Sequence, residues 1–197
     1  MTRLHARMLG VVLGAIAIGG WARYEQLRLQ PASQLWVEGT STVRGFTCKA
    51  GVLDAVIETS RQGAVTAVLG GENGVQSVSL TVPAAKLDCS NGTMNGHMLK
   101  ALKATAHPSI TFTLASYALA KSADTTVATL RGTLNLGGVA KAIEMRALLT
   151  PADGGAMRMV GSYALNMKEY GISPPSLMLG TMKVRERVTV GFDLTIR

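Results

Sequence analysis

The sequence is poor in aromatic residues. Its 197 residues include three Phe, four Tyr and two Trp, which are few for a platform on which nucleic-acid bases could stack. The formal net charge is +8, but the basic residues are spread along the chain and form no nucleic-acid-binding motif. We therefore expect no nucleic-acid partner.

The sequence also lacks a catalytic or metal-binding motif. It contains no Gly-x-Ser-x-Gly elbow, no P-loop and no dinucleotide fingerprint. Of the three histidines, His5 lies in the basic start of the chain that precedes an apolar run, and neither His97 nor His107 belongs to an i, i+4 pair. We interpret His97 as facing away from the apolar side of a helix that ends at His107. No enzyme, catalytic residue, metal site or cofactor is expected.

No apolar run is long enough for a typical membrane-spanning helix. After a basic start, the charge-free run 8–20 would rise only about 20 Å, short of the ~30 Å core of a bilayer. Small residues at Gly20 and Ala22 suit a signal peptidase. We predict a cleaved signal peptide at 1–22, with a retained anchor as the alternative, and hence a periplasmic or secreted protein. No cysteine lies directly after the run, so no lipoprotein anchor is expected.

The segment that remains is long enough for a single domain with a sizeable core. We divide it into an N-terminal extension at 23–34 and one domain at 35–197. No internal repeat, low-complexity run or interdomain linker is visible in the sequence.

Cysteine is scarce, and the only two are Cys48 and Cys89. In an oxidising compartment an even pair most often forms a disulfide, which would stabilise the fold by up to about 4 kcal/mol. Two reduced, buried thiols are the alternative if the protein is not exported.

Beyond Pro31 the sequence mostly alternates between apolar and polar residues. In the last segment, for example, Val188, Val190 and Phe192 alternate with Thr189 and Asp193. This pattern is typical of antiparallel strands with one face buried. Strands are predicted at about 35–41, 52–59, 64–69, 77–82, 110–115, 127–136, 141–150, 157–167 and 184–196. Glycine-rich turns separate several of them, and Gly137-Gly138 has the position of a tight hairpin turn. Eight or nine strands in one domain indicate a barrel or a sandwich.

One segment departs from this alternation. Met94, Met98, Leu99 and Leu102 recur at helical spacing, and either Asn91 or Thr93 can cap the start. A proline after His107 disfavours further helix. We predict one amphipathic helix at about 93–104, which could cover an end of a barrel.

Methionine is frequent on one predicted strand face. Met157, Met159 and Met167 share that face with Tyr163 and Leu165. They could fill an ordinary core or form the adaptable wall of a ligand cavity, and an eight-stranded barrel has room for either.

The segment 169–180 combines two prolines and flanking glycines with several apolar residues. It is predicted to be a rigid loop whose apolar side chains need burial. The loop could fold over the mouth of a barrel, form the ligand entrance, or do both.

Five segments, in their order and spacing, carry a resemblance to a known family. They are Trp36–Ser41, Met94–Ala104, His107–Phe112, Gly132–Lys141, and a closing stretch from Tyr170-Gly171-Ile172 through Val188–Phe192. Together they resemble the YceI-like family of periplasmic lipid-binding proteins over about 35–196. The chain departs from the commonest family pattern in its cysteine pair. It also carries Lys168-Glu169-Tyr170-Gly171 where many members have an Arg-x-Asp-aromatic-Gly turn.

The resemblance implies an all-β fold: an extended eight-stranded antiparallel barrel, lipocalin-like, with one short amphipathic helix and an apolar interior pocket. It further implies non-catalytic binding, storage or transport of a long-chain isoprenoid or other amphiphilic lipid. The alternative is a structural or partner-binding module with a filled core. Transient membrane contact is possible, and the protein could be a monomer or a homodimer.

The expected pocket combines the helix, the inward strand faces and the 169–180 loop. Its predicted lining is apolar, with Lys or Arg at most at the rim, because an unpaired interior charge would cost several kcal/mol. The predicted ligand-binding residues are Met94, Met98, Leu102, Phe112, Leu134, Tyr170, Ile172, Leu179 and Phe192.

Overall fold

The computed structural model describes residues 25–177 and 182–197. The predicted signal peptide at 1–22 and the predicted site residue Leu179 lie outside these ranges. Among the described residues, no helix has the length and apolar character needed to span a bilayer.

The described chain is mainly β-structure, with two short α-helices. The helices are α1 (Ala64–Leu69) and α2 (Gly92–Ala101). The strands are β1 (Gln26–Leu27), β2 (Gln34–Thr40), β3 (Gly45–Ala50), β4 (Asp54–Thr59), β5 (Val75–Pro83), β6 (Leu87–Asp88), β7 (Ser109–Ser122), β8 (Thr125–Leu136), β9 (Val139–Ala152), β10 (Ala156–Asn166), β11 (Ser176–Leu177), β12 (Met182–Lys183) and β13 (Arg187–Ile196).

One curled antiparallel sheet contains eleven of these strands, in the order β1-β4-β5-β7-β8-β9-β10-β13-β2-β3-β6. The remaining two, β11 and β12, pair with each other. The all-β, barrel-like expectation is confirmed, but the count of eight strands is wrong for this sheet. The additional strands include the two-residue strands β1 and β6, which are too short to show a periodic pattern.

The sheet curls until its N-terminal segment contacts both β4 and β13. On one side Leu27 pairs with Ile57 of β4, and on the other Leu29 forms an antiparallel bridge with Ile196 of β13. Arg28 also exchanges two backbone hydrogen bonds with Arg197, at 2.6 and 3.0 Å. The segment 26–30 therefore completes a ring with β4, β5, β7, β8, β9, β10 and β13.

The two helices lie near opposite ends of this ring. The carbonyl of Leu69 in α1 accepts a 2.8 Å hydrogen bond from the hydroxyl of Thr126, near the start of β8. The carbonyl of Leu102, just after α2, lies beside Gly137 at the end of β8. The length of β8 thus separates the α1 end from the α2 end.

The helix α1 corrects the prediction of a strand at 64–69. Its buried residues are Ala64, Ala67 and Val68, whose spacing of three and four is helical. A six-residue segment with apolar side chains at most positions is compatible with either period. The left-handed conformation of Gly63, with φ of 66°, directs the chain into the helix after β4.

The helix α2 and the hairpin after β8 follow the sequence prediction. The side chain of Asn91 caps α2 by accepting a 2.9 Å hydrogen bond from the Met94 N–H. Gly137 and Gly138 join β8 to β9 with φ of 58° and 83°, as a tight hairpin turn requires. A Cβ at Gly138 would also lie 2.4 Å from the His107 ring, so space as well as backbone conformation favours glycine there.

Candidate functional site

The interior of the barrel contains a cavity of about 520 Å³. Almost every strand of the ring contributes alternate, inward-facing apolar residues. The methionine-bearing face of β10 is part of the wall, through Met157, Met159, Tyr163 and Leu165, and Met167 continues it beyond the strand. The volume lies within the range of about 300–1,000 Å³ that is usual for small-molecule pockets.

The three phenylalanines of the chain line this cavity, and each lies against a glycine on a neighbouring strand. A Cβ added to Gly161 would approach the Phe192 ring to 2.5 Å, and one added to Gly39 would approach the Phe46 ring to 2.4 Å. The third pair is Phe112 with Gly132, at 2.5 Å. Because the rings occupy the space that these glycines leave, they lie close to the sheet.

The helix α2 forms part of the wall at its end of the barrel. Besides Thr93, the lining residues of α2 and its C-cap recur at i, i+3, i+4, i+7 and i+8: Met94, His97, Met98, Ala101 and Leu102. No residue of the helix itself is fully buried, so α2 lies between the cavity and solvent. The interpretation that His97 faces away from the apolar side is wrong, because its position three residues after Met94 puts it on the cavity side.

The disulfide between Cys48 and Cys89 is confirmed, and both cysteines line the cavity. The disulfide joins β3 to the residue that follows β6. The strands β3 and β6 also pair with each other, through Lys49 and Asp88. The Cys89 N–H donates a 2.8 Å hydrogen bond to the side chain of Asn95 in α2. The start of α2 is thereby connected to the disulfide and the sheet.

Asp88 adds a second polar connection to α2. Its carboxylate accepts hydrogen bonds from the Asn95 side chain at 2.8 Å and the Ser90 N–H at 2.9 Å. These hydrogen bonds, chiefly that from Asn95, lower the pKa of Asp88. The carboxylate is exposed, so it contributes mainly to the orientation of the helix N-terminus.

The α1 end of the cavity is more deeply buried than the α2 end. Thr59 and Thr126 are both fully buried, and their hydroxyls donate to backbone carbonyls, Thr59 to Glu25 at 2.5 Å and Thr126 to Leu69 at 2.8 Å. Val68 of α1 packs in a buried apolar cluster with Leu149.

Few polar side chains reach the cavity. Tyr117 lines it, but its hydroxyl already hydrogen-bonds to Gly74 and Val75 at 2.9–3.1 Å. Apart from Tyr163, the other polar side chains are at the α2 end: Ser41, Arg44, Asn91, Thr93 and His97. No Asp or Glu is among the described lining residues.

Seven of the nine predicted ligand-binding residues line the cavity: Met94, Met98, Leu102, Phe112, Leu134, Ile172 and Phe192. Tyr170 does not line it. This residue is 1% exposed and packs in an apolar cluster with Leu136, Leu165 and Ile172. Burial, together with the neighbouring Tyr163, raises the pKa of Tyr170 to about 12. Leu179 lies outside the described residues.

Sequence reasoning did not find the residues of the turn between β2 and β3. Arg44 and Ser41 in this turn, and Phe46 just after it, line the cavity. The prediction included no strand at β3, although Phe46, Cys48 and Ala50 alternate with the exposed Thr47 and Lys49 in this six-residue segment. Consequently, the Ser41-x-x-Arg44 turn was not predicted to lie beside the pocket.

In the described part of the chain, no group of three His, Cys, Asp or Glu side chains is arranged to hold a metal ion. Comparison with known proteins matches residues 29–196 to the model of the YceI-like domain. The chain belongs to the YceI-like family. A search of curated proteins gives no match.

Solved structures share the YceI-like fold. Burkholderia cenocepacia BcnA has a TM-score of 0.63 at 16% identity, over 83% of this chain and 95% of BcnA. A polyisoprenoid-binding domain from Saccharophagus degradans, implicated in plant cell wall breakdown, has a TM-score of 0.62 at 15% identity, over 87% and 97% of the two chains. The Campylobacter jejuni YceI protein has a TM-score of 0.56 at 14% identity, over 95% and 97%. At these identities the similarity shows the fold alone.

Proposed function

We propose that this YceI-like protein binds a long-chain isoprenoid-type lipid in its barrel and stores or transports it without chemical change. The observation that carries the proposal is the apolar cavity of about 520 Å³, lined by strand faces and by α2. The open interior disfavours the alternative of a filled barrel with a purely structural role. The binding domain from Saccharophagus degradans, with the same fold, is described as polyisoprenoid-binding, which supports this choice of ligand.

The binding energy would come mainly from burial of the hydrocarbon tail. Each CH₂ group moved out of water contributes about 0.8 kcal/mol, so a long tail needs few polar contacts. Because the phenylalanine rings pack closely against glycines of neighbouring strands, they leave room in the interior for such a tail. Thioether side chains along β10 and α2 can adapt to its shape. No catalytic step is required.

The proposed site consists of the seven cavity-lining residues Met94, Met98, Leu102, Phe112, Leu134, Ile172 and Phe192, with Tyr170 supporting Ile172 from the surrounding core. Leu179 remains a predicted contact. The helix α2 is the proposed movable cover, because it lines the cavity but buries no residue completely.

The proposed compartment is the periplasm, after removal of residues 1–22. The disulfide between Cys48 and Cys89 fits an oxidising, extracytoplasmic environment. The mature protein would then comprise the extension 23–34, whose β1 enters the sheet, and the domain 35–197. A monomer or homodimer would deliver its lipid during transient membrane contact.

The proposal is tested by mass spectrometry of an organic extract of the purified protein. We expect a copurifying isoprenoid lipid in the wild type and its loss in Met98→Asp, because the new carboxylate would face the tail. Gly96→Asp is the matched control: it places the same charge on α2, but a Cβ there meets nothing within 4 Å. Wild-type protein that neither copurifies with nor takes up any lipid would refute the proposal. A folded Met98→Asp variant that keeps its full lipid content would show that the site is misplaced.

A further inference from the structure

One charged side chain stands out at the cavity. Arg44 is the only Lys, Arg, Asp or Glu among the described lining residues, and it is also solvent-exposed. A residue that both lines the cavity and reaches solvent lies at the rim. Arg44 can therefore remain hydrated while it faces a ligand bound at the opening of the cavity.

The turn that carries Arg44 is held in place by Ser41. The Ser41 hydroxyl accepts hydrogen bonds from the N–H groups of Val43 and Arg44, at 3.2 and 3.1 Å, and donates to the Arg44 carbonyl at 2.9 Å. The backbone at the base of the guanidinium is consequently fixed relative to the rim.

A second basic segment lies alongside this turn. Ser41 forms an antiparallel bridge with Val184, and the Arg185 N–H donates to the Thr40 carbonyl at 2.8 Å. Val184 lines the cavity, whereas its neighbours Lys183 and Arg185 are exposed on either side of it. The nearby acid Glu186 is neutralised by an ion pair with Lys168. Three exposed basic residues, Arg44, Lys183 and Arg185, therefore lie on these two adjoining segments of the rim.

The helix α2 contributes His97 to the lining of the same cavity. The guanidinium of Arg44 has five N–H donors and no acceptor, and an imidazole can offer an N–H donor in either protonation state. With no carboxylate among the described lining residues, the charged groups of the site are complementary to an anion. Guanidinium groups match the geometry of carboxylate and phosphate especially well.

We infer that the cavity selects amphiphiles with an anionic headgroup, a carboxylate or a phosphate, which Arg44 binds at the rim with His97 as a further donor while the tail occupies the interior. This inference deepens the proposed lipid-binding function and rests on it.

The test measures the affinity of delipidated protein for two matched pairs of probes. Geranylgeranyl monophosphate is compared with geranylgeraniol, and palmitate with methyl palmitate, so that phosphate and carboxylate are assessed separately. We expect at least one anionic probe to bind about tenfold more tightly than its neutral partner, as a charge-assisted hydrogen bond would give. Arg44→Gln should abolish this preference by weakening the binding of the anionic probe to about the level of its neutral partner.

The control is Arg28→Gln, which removes the same charge from an exposed residue at the opposite end of the barrel and should preserve the preference. Equal affinity for charged and neutral probes in the wild type would overturn the inference while the proposed lipid binding stands. A preference that survives in Arg44→Gln, or that disappears equally in Arg28→Gln, would overturn the assignment to the rim. If no probe of either kind binds, the proposed function itself fails.

Discussion

The helices α1 and α2 lie at opposite ends of one barrel and are held there by different forces. α1 is only six residues long and has no side-chain cap, yet Ala64, Ala67 and Val68 are buried. α2 has a capping Asn91 and a disulfide beside its start, but none of its residues is fully buried. Tertiary packing thus holds α1, whereas α2 combines polar contacts and a disulfide at its start with only partial packing of Ala101 and Leu102 against the cluster around Leu136.

This difference bears directly on function. Regions with few buried apolar contacts open at lower free-energy cost than the core. With the α1 end buried and the α2 end covered by a helix that buries no residue completely, we expect a ligand to enter at the α2 end. The basic rim at Arg44, Lys183 and Arg185 is at this same end.

The largest expected effect on the free energy of unfolding comes from a comparison in which one charge is placed in each helix. Val68→Asp would bury an unpaired carboxylate in the cluster around Leu149 and should destabilise the fold by several kcal/mol. Met98→Asp, on half-exposed α2, should cost much less because the new charge can reach water. Urea unfolding followed by circular dichroism measures both. Equal destabilisation would show that the two ends are equally part of the core.

How much of this contrast could be predicted from sequence depends on segment length and burial. The long strands were predictable because each has one buried face, as the alternation around Phe192 illustrates. The segment Ala64–Leu69 was not, since six mostly apolar residues fit a helix and a strand equally well. Only tertiary packing selects the helix.

The candidate site was predictable in its apolar part and not at its rim. Met94, Met98 and Leu102 follow a spacing of four that identifies one side of α2. A helix also places the i+3 position on that side. His97, three residues after Met94, was therefore predictable as a lining residue. Arg44 carries no such periodic signal, because its position depends on how the turn after β2 pairs with the distant segment around Val184.

The next effect in size concerns the disulfide at the α2 end. Replacing Cys48 and Cys89 by serine removes a link across 41 residues, and we expect a loss of about 2–4 kcal/mol in the free energy of unfolding. Denaturant titrations of the double variant and of reduced wild type should agree. If the disulfide also restrains α2, the double variant should exchange bound lipid faster than wild type. An unchanged exchange rate would assign the disulfide to stability alone.

The smallest effect on stability is expected from removal of the cap of α2. This change tests the helix separately from the rest of the barrel. Asn91→Ala removes the acceptor of the Met94 N–H and should cost about 1 kcal/mol. Because α2 buries no residue completely, this loss should appear as local fraying and not as global unfolding. Hydrogen exchange should accelerate about fivefold for amides in the first turns of α2. The amides of α1, held by burial, should remain protected, and lipid release should become faster. Accelerated exchange in both helices would mean that the barrel opens as one unit, which would remove the distinction between a fixed end and a movable one.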